Sequence, residues 1–319
     1  MSWQPSAPLN ALVARARLNR LIRDFFARRE VMEVETPLLC SSAATDPHLR
    51  SFSVATEHTR HYLQTSPEFC MKRLIAAGCG SIYQLCKAFR HEESGRQHNP
   101  EFTLLEWYRP GWKLDQLIDE IEVLVKQAAA AFGTEFPDFP RWTYQQAFEK
   151  VLGLNPHLCS ESELRDTAKQ HINGDFASFD RNTLLDLLMS HLVEPGLPVD
   201  GIFLTDFPAS QASLAKTEHN ADGHCVARRA ELYIRGVEIA NGYQELTDAA
   251  VQEARLKADL QFRTAHQLDE LPMPVSLLGA LQHGFPECAG VALGVDRLMM
   301  VITTASSIDS VLSFDWEQA

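Results

Sequence analysis

The chain has 319 residues, is 45% hydrophobic and carries a formal net charge of -13. That length holds one large domain or two small ones, and the acidity weighs against tRNA as a partner, because a polyphosphate backbone needs clustered Lys and Arg to displace its counterions. No apolar run reaches the ~18 residues of a membrane span, Met1 to Leu9 lacks the parts of a signal peptide, and the seven cysteines are scattered without a CxxC pair, which points to a reducing cytoplasm rather than to a disulfide framework or a zinc site.

In chain order, Leu9 to Arg28 reads as an amphipathic helix with Leu12, Val13, Ala16, Leu21, Ile22, Phe25 and Phe26 near helical spacing. Val31 to Pro37 alternates like a strand and stops at the proline. Ser81 to Arg90 and Glu101 to Tyr108 read as two strands joined by a loop with Gly95 and Pro100. Leu114 to Phe132 carries one apolar helical stripe, and Gly133 can cap it. After a Pro-rich connector, Tyr144 to Pro198 reads as helical, with a capping box at Ser160 and Glu163 and an Asp180-capped helix running to about Glu194. Ile202 to Phe207 and Glu231 to Ile239 read as strands, Ala249 to Leu268 as a helix, Gly290 to Val295 as a strand, and Arg297 onward as a helix. Strands and helices do not alternate as βαβ units. The pattern predicts an α+β fold with a mostly antiparallel sheet.

Four clusters could carry chemistry. Arg90 ends a strand and faces a loop with Arg96, His98 and Asn99, where a guanidinium can hold a phosphate in bidentate fashion; a surface pair with Glu92 is the plain alternative. On the returning strand, Phe102, Leu104, Glu106 and Tyr108 share one face by the two-residue repeat. A carboxylate and a phenol together suit an ammonium ligand, unless Glu106 faces solvent at a sheet edge. Glu238 and Glu245 flank Asn241-Gly242, which offers carboxylates for Mg²⁺ beside a phosphate, although Asn-Gly is also a plain hairpin turn. Gly290, Gly294 and Arg297 mark a strand-to-helix turn where a ligand can approach the backbone. Upstream, Ser66-Pro67-Glu68 reads as a helix start.

These clusters stand in the order of the class II aminoacyl-tRNA synthetase core, which the chain resembles over residues 9–316, least within 133–200. The segment ending at Pro37 resembles motif 1, a dimer-interface element; Phe89 to Phe102 resembles motif 2; Gly290 to Arg297 resembles motif 3. His98-Asn99-Pro100-Glu101-Phe102-Thr103 and Glu238 to Glu245 are similar to the lysyl branch. The resemblance implies a class II catalytic core, a mostly antiparallel sheet flanked by helices. It further implies one domain over residues 1–319 with a helical insertion at about 142–200 and no OB-fold anticodon-binding domain, since motif 1 falls within the first forty residues. Ser66-Pro67-Glu68, Leu105 to Pro110, Gly290 to Arg297 and, most specifically, Phe207-Pro208-Ala209-Ser210-Gln211-Ala212-Ser213-Leu214 look like the free-standing paralogues that attach a β-lysyl group to a lysine of elongation factor P.

The roles that follow are implications of that resemblance. ATP and Mg²⁺ would serve as co-substrate and cofactor, lysine or (R)-β-lysine as substrate, elongation factor P as acceptor, and the enzyme would be a cytoplasmic homodimer. Ser66, Pro67, Glu68, Tyr108, Asn241 and Ala292 would contact the amino acid, with Glu106 near its side-chain ammonium. Arg90 would hold the α-phosphate, Phe102 would stack on adenine, and His91, Glu92, Asn99, Ile239 and Gly294 would seat ATP. Arg297 would cover adenine or the γ-phosphate. Glu238 and Glu245 would hold Mg²⁺ or, for Glu245, the substrate amine. Ala292 stands where lysyl-tRNA synthetases commonly have Gly, and its methyl would reshape the pocket floor in favour of a β-amino acid. Two alternatives remain. A free-standing asparagine synthetase of the same fold sits badly with Glu68 and Glu106, and a catalytically dead subunit would have no need of Arg90, Glu238, Glu245 and Arg297 together.

Overall fold

Residues 3–91 and 94–319 are described by a computed structural model of the chain. Helix α1 (Leu9–Ala27) leads to strands β1 (Met32–Glu33), β2 (Leu39–Cys40), β3 (Ser53–Ala55) and β4 (Arg60–Leu63). Helix α2 (Glu68–Ala76), the long strands β5 (Ile82–Phe89) and β6 (Glu101–Pro110), and helix α3 (Leu114–Ala131) follow. Next come β7 (Arg141–Thr143), α4 (Tyr144–Leu152), α5 (Glu161–His171), α6 (Arg181–Leu188), β8 (Ile202–Pro208), β9 (Thr217–His219), β10 (Cys225–Ile234) and β11 (Val237–Gln244). Helices α7 (Ala249–Ala265) and α8 (Val275–Gly284), strand β12 (Cys288–Gly294) and helix α9 (Val295–Thr303) complete the order. The class is α+β with mostly antiparallel pairing, as the sequence pattern predicts. The chain divides into two compact units, Met1–Glu135 with Gln244–Ala319, and Phe136–Tyr243.

In the first unit β6 lies between β5 and β12 and is antiparallel to both, while β1 pairs parallel with β5. Alternation along β6 decides what each face does. Trp107 and Arg109 point to the helical side: Trp107 Nε1 and Arg109 Nε donate to Glu120 of α3 at 3.1 and 2.9 Å, and Phe26 of α1 stacks on Tyr83 with centroids 4.4 Å apart. Residues 102, 104, 106 and 108 belong to the opposite face. Leu18, Ile22, Phe25 and Phe26 are the buried stripe of α1, whereas Val13 and Ala16, expected in that stripe, are exposed. The strand expected over 31–37 pairs only at Met32–Glu33. Beyond Val34 the segment leaves the ladder, and Thr36 holds Gln84 through a side-chain bond of 3.0 Å instead. In this unit the small sheet β2-β4-β3 and helix α8 were not read from the sequence.

In the second unit β10 pairs antiparallel with β8, β9 and β11, and β7 runs parallel to β8. Helices α4, α5 and α6 cover Ile202, Leu204 and Phe207 of β8 through Tyr144, Phe148, Leu164, Leu184 and Leu188. The Ser160–Glu163 capping box and the Asp180 cap form as expected. The helix after Asp180 ends its α-helical part at Leu188 and widens into a π turn over Met189–Val193. Pro195 lacks an N–H and crowds the carbonyl one turn before it, so a regular helix cannot reach Glu194. The expected strand Glu231 to Ile239 is two strands. Arg235 (φ 54°) and Gly236 (φ 70°) make the hairpin turn, a primed turn that matches strand twist. Asn241-Gly242, which could have been that turn, lies inside β11.

Candidate active site

The ladder sets one side of the site. Ala292 lies opposite Glu106, Gly290 opposite Tyr108 and Gly294 opposite Leu104. Three small residues on β12 thus lie beside the functional face of β6. A methyl added at Gly290 would come within 2.5 Å of Tyr108 Cδ1 and would also meet Glu245 Oε1. The glycine is required because the phenol and the carboxylate close over it.

Three carboxylates gather around this floor. Glu106 is 2% exposed, sits mid-sheet rather than at an edge, and accepts a 2.7 Å bond from Tyr108 OH on Oε1. Its Oε2 is buried and has no hydrogen-bond partner among the described residues. Burial, and then the charge of Glu68, push its pKa up to about 8. Glu68 begins α2, where its charge suits the helix N-terminus, and its backbone N–H donates to Ser66 Oγ at 3.1 Å. Glu245, which follows β11, is fully buried, and burial raises its pKa to about 7.

A cation stands among them. Lys72 lies one turn after Glu68 on α2, donates to Glu68 Oε1 at 2.6 Å and pairs with Glu245 Oε2 at 2.6 Å. Burial works against its ammonium, but Glu245 and Glu68 outweigh that and hold its pKa above the usual lysine range. Glu245 Oε2 meets the ammonium as a close ion pair.

At the other end of β6 the loop of residues 94–100 is fixed from several sides. Arg90 stands over the Phe102 ring at 5.1 Å, and its backbone N–H donates to Pro100 O at 2.9 Å. Arg297 Nη2 lies 2.6 Å from His98 Nε2. A guanidinium only donates, so His98 accepts with Nε2 and carries its proton on Nδ1. Arg297 Nε also donates to Gln97 O at 3.3 Å. Asn99 is spent on structure: Nδ2 donates to Glu101 O at 2.6 Å, and Oδ1 accepts from Trp316 N at 3.0 Å. His91 rests against Phe52 with ring centroids 4.9 Å apart. Asp296 ties the motif to the fold, accepting from Thr103 N at 2.6 Å and pairing with Arg15 of α1.

In the second unit, Glu231 and Asn241 are register partners across β10 and β11, as are Tyr233 and Glu238. Glu231 is buried and accepts from Arg229, from Tyr233 OH at 2.6 Å and from Asn241 Nδ2 at 3.1 Å. Asn241 Oδ1 is buried without a partner among the described residues. Arg229 stands over Phe207 at 4.6 Å and donates to Gln211 O at 3.0 Å. Gln211 Nε2 in turn donates to Asp186 Oδ1 at 2.7 Å. The Phe207 to Leu214 segment is thus held by the same arginine that holds Glu231.

The family model for class II tRNA synthetases of the D, K and N type matches residues 4–318. The chain belongs to the class II tRNA synthetase family. It is 45% identical to an elongation factor P–(R)-β-lysine ligase of Pectobacterium carotovorum subsp. carotovorum (strain PC1), over 100% of this chain and 98% of that protein. It is 47% identical to the protein of that name from Pseudoalteromonas translucida (strain TAC 125), over 99% and 98%. The Yersinia enterocolitica protein of the same name is 45% identical over 98% and 97%.

Within this class II synthetase fold, Ser66, Glu68, Glu106, Tyr108, Glu245 and Ala292 lie together in the first unit, with Pro67 at the start of α2. Arg90, His91, Asn99, Phe102, Gly294 and Arg297 belong to the same unit, and Glu238, Ile239 and Asn241 to the second. Glu92 lies outside the described residues. Sequence reasoning missed Lys72, Arg229 and Glu231. A lysine on a short helix carries no sign of burial, but its i, i+4 spacing from Glu68 was a readable signal.

Proposed function

We propose that this chain activates (R)-β-lysine, or lysine, as an adenylate with ATP and transfers it to the ε-amino group of a lysine on elongation factor P. One observation carries the reading: a buried carboxylate, Glu106, bonded to Tyr108 through Oε1, has an Oε2 without a hydrogen-bond partner among the described residues. A buried carboxylate needs a proton or a cation, and an ammonium supplies one. The names of the relatives agree, since those proteins are called (R)-β-lysine ligases of elongation factor P.

The substrate carboxylate attacks the α-phosphorus of ATP, and pyrophosphate leaves. Arg90, held over Phe102, offsets charge that grows on the phosphate oxygens. The acceptor amine then attacks the acyl carbon, AMP departs with the bonding pair, and the amine gives up a proton. Glu106 and Tyr108 hold the side-chain ammonium, while Glu68 and Glu245 serve the other amine; Asn241, of the second unit, is a further amino-acid contact. Mg²⁺ needs only one or two carboxylates when phosphate oxygens complete its shell, and Glu238 fits that role, where the ion would draw charge from the leaving pyrophosphate. Glu245, already paired with Lys72, fits the amine better. Residues 142–200 serve as an insertion into one catalytic domain. Leu9 and Val13, exposed on α1, suit a homodimer contact, and an acceptor that is a translation factor places the reaction in the cytoplasm.

The test is the intact mass of elongation factor P after incubation with this protein, ATP, Mg²⁺ and either isomer of lysine, with tRNA acylation run beside it. Gain of one lysyl mass, with the β isomer preferred and tRNA uncharged, supports the reading. Charged tRNA with unmodified elongation factor P overturns it.

A further inference from the structure

Lys72 has no part in the reading above, yet it sits at the centre of the acidic pocket. It is 1% exposed and within 2.6 Å of a carboxylate on each side, Glu68 and Glu245. An ammonium taken this far from water is costly unless its partners are close and well placed. Packing alone does not call for a charge here, because an apolar side chain would fill the volume without that cost. The lysine has to be there for what it does to its neighbours.

Two effects follow. The first is charge. Glu68, Glu106 and Glu245 against Lys72 leave the ionised pocket at -2. A diamino acid brings two ammonium groups, and its single carboxylate is consumed in forming the adenylate. The second is geometry. Glu68 begins a helix, and Glu245 follows a strand. Without a cation between them they repel at close range in a medium of low dielectric. With it they are held at a set separation, each carboxylate 2.6 Å from the same ammonium. Glu106 takes no part in this bridge, since its Oε1 is bonded to Tyr108. The pocket therefore has two ends: Glu106 with Tyr108, and a Glu68–Lys72–Glu245 clamp.

We propose that Lys72 is a positioning residue that fixes the Glu68–Glu245 clamp on the substrate's reacting-end amine, and so sets discrimination between α- and β-amino isomers. The inference rests on the reading of the pocket as a lysine or β-lysine site. Moving an amine by one carbon shifts it by ~1.5 Å, and only a clamp of fixed width can sense that.

The experiment measures ATP–pyrophosphate exchange with (R)-β-lysine and with α-lysine for wild type, Lys72→Met and Lys72→Arg, together with KM for ATP and thermal stability. Lys72→Met is expected to collapse the ratio of kcat/KM between the isomers at least tenfold, with KM for ATP unchanged. Lys72→Arg, which keeps the charge but alters its shape, is expected to move the ratio at least threefold while the fold is retained. A merely structural lysine would lower both isomers together and leave the ratio alone. A ratio within twofold of wild type in folded Lys72→Met overturns the proposal. If Lys72→Met does not fold, the same outcome in Lys72→Arg does so. Wild-type protein that exchanges with neither isomer would instead overturn the lysine reading itself.

Discussion

Asn241 gives its amide N–H to Glu231 across the β10–β11 ladder at 3.1 Å, which turns its carbonyl oxygen away into a buried position without a partner among the described residues. A carboxylate only accepts, so the amide cannot reverse without losing that bond. Asn241 thus presents an acceptor, which fits an amine donor. In Glu231→Gln the amide is free to flip, and KM for the amino acid is expected to rise about tenfold, the worth of roughly one such bond, with KM for ATP unchanged. The exchanged pair Glu231→Gln with Asn241→Asp restores donor to acceptor and should recover most of the loss. A double variant no better than Glu231→Gln would refute the orientation argument.

Arg90→Ala should bring ATP–pyrophosphate exchange down by about 10³-fold or to background, because it removes a preorganised donor from the developing charge. The fold should survive, since Arg90 follows the last residue of β5 and the ladder does not depend on its side chain. Circular dichroism and exchange rate measured together check this. Wild-type exchange would rule out the role.

Ala292 lies directly opposite Glu106. Removing its methyl is expected to change the preference between β- and α-lysine by about 10-fold, the scale of one methyl in a pocket. Competition between the isomers in one reaction gives the ratio. An unchanged ratio in Ala292→Gly would show that the methyl is not read.

Gly290→Ala places a carbon within 2.5 Å of the Tyr108 ring and against Glu245. Neither neighbour has room to yield, as both are buried. We expect a loss of about 1–3 kcal/mol in stability and a higher KM for the amino acid. Chemical denaturation and exchange kinetics test the two effects separately. A variant as stable as wild type would mean that the ring moves aside.

Glu106 titrates near 8 in the folded chain, against an ordinary value of 4.5, chiefly through burial and then through Glu68. Between those values the folded state holds a proton that the unfolded state has lost, so this group's contribution to stability falls as pH rises from 4.5 to about 8. Binding runs the other way. An ammonium needs the carboxylate form, so KM for the amino acid should fall as pH climbs through about 8, while KM for ATP does not follow it. A KM for the amino acid that is flat across that range would contradict the pairing of Glu106 with an ammonium.

Much of the fold was legible because local backbone geometry is periodic. Alternation along Glu101 to Pro110 put Phe102, Leu104, Glu106 and Tyr108 on one face, and the β5–β6 register agrees. Capping residues located the starts of α5 and α6. Where local rules tied, tertiary context decided: Arg235-Gly236 forms the hairpin and Asn241-Gly242 does not, because β11 pairs through Asn241 with Glu231.

By itself, the sequence determined the class of chemistry and its family: a strand-end arginine, paired carboxylates and glycine-marked turns in one order. Only the tertiary structure decided which charges meet. Lys72 finds Glu245, Glu231 finds Asn241, and Gly290 finds Tyr108. Spacing along a helix or strand follows from bond geometry and can be counted. The strength and ionisation of a buried charge depend on which distant groups exclude water around it, and no local spacing encodes that.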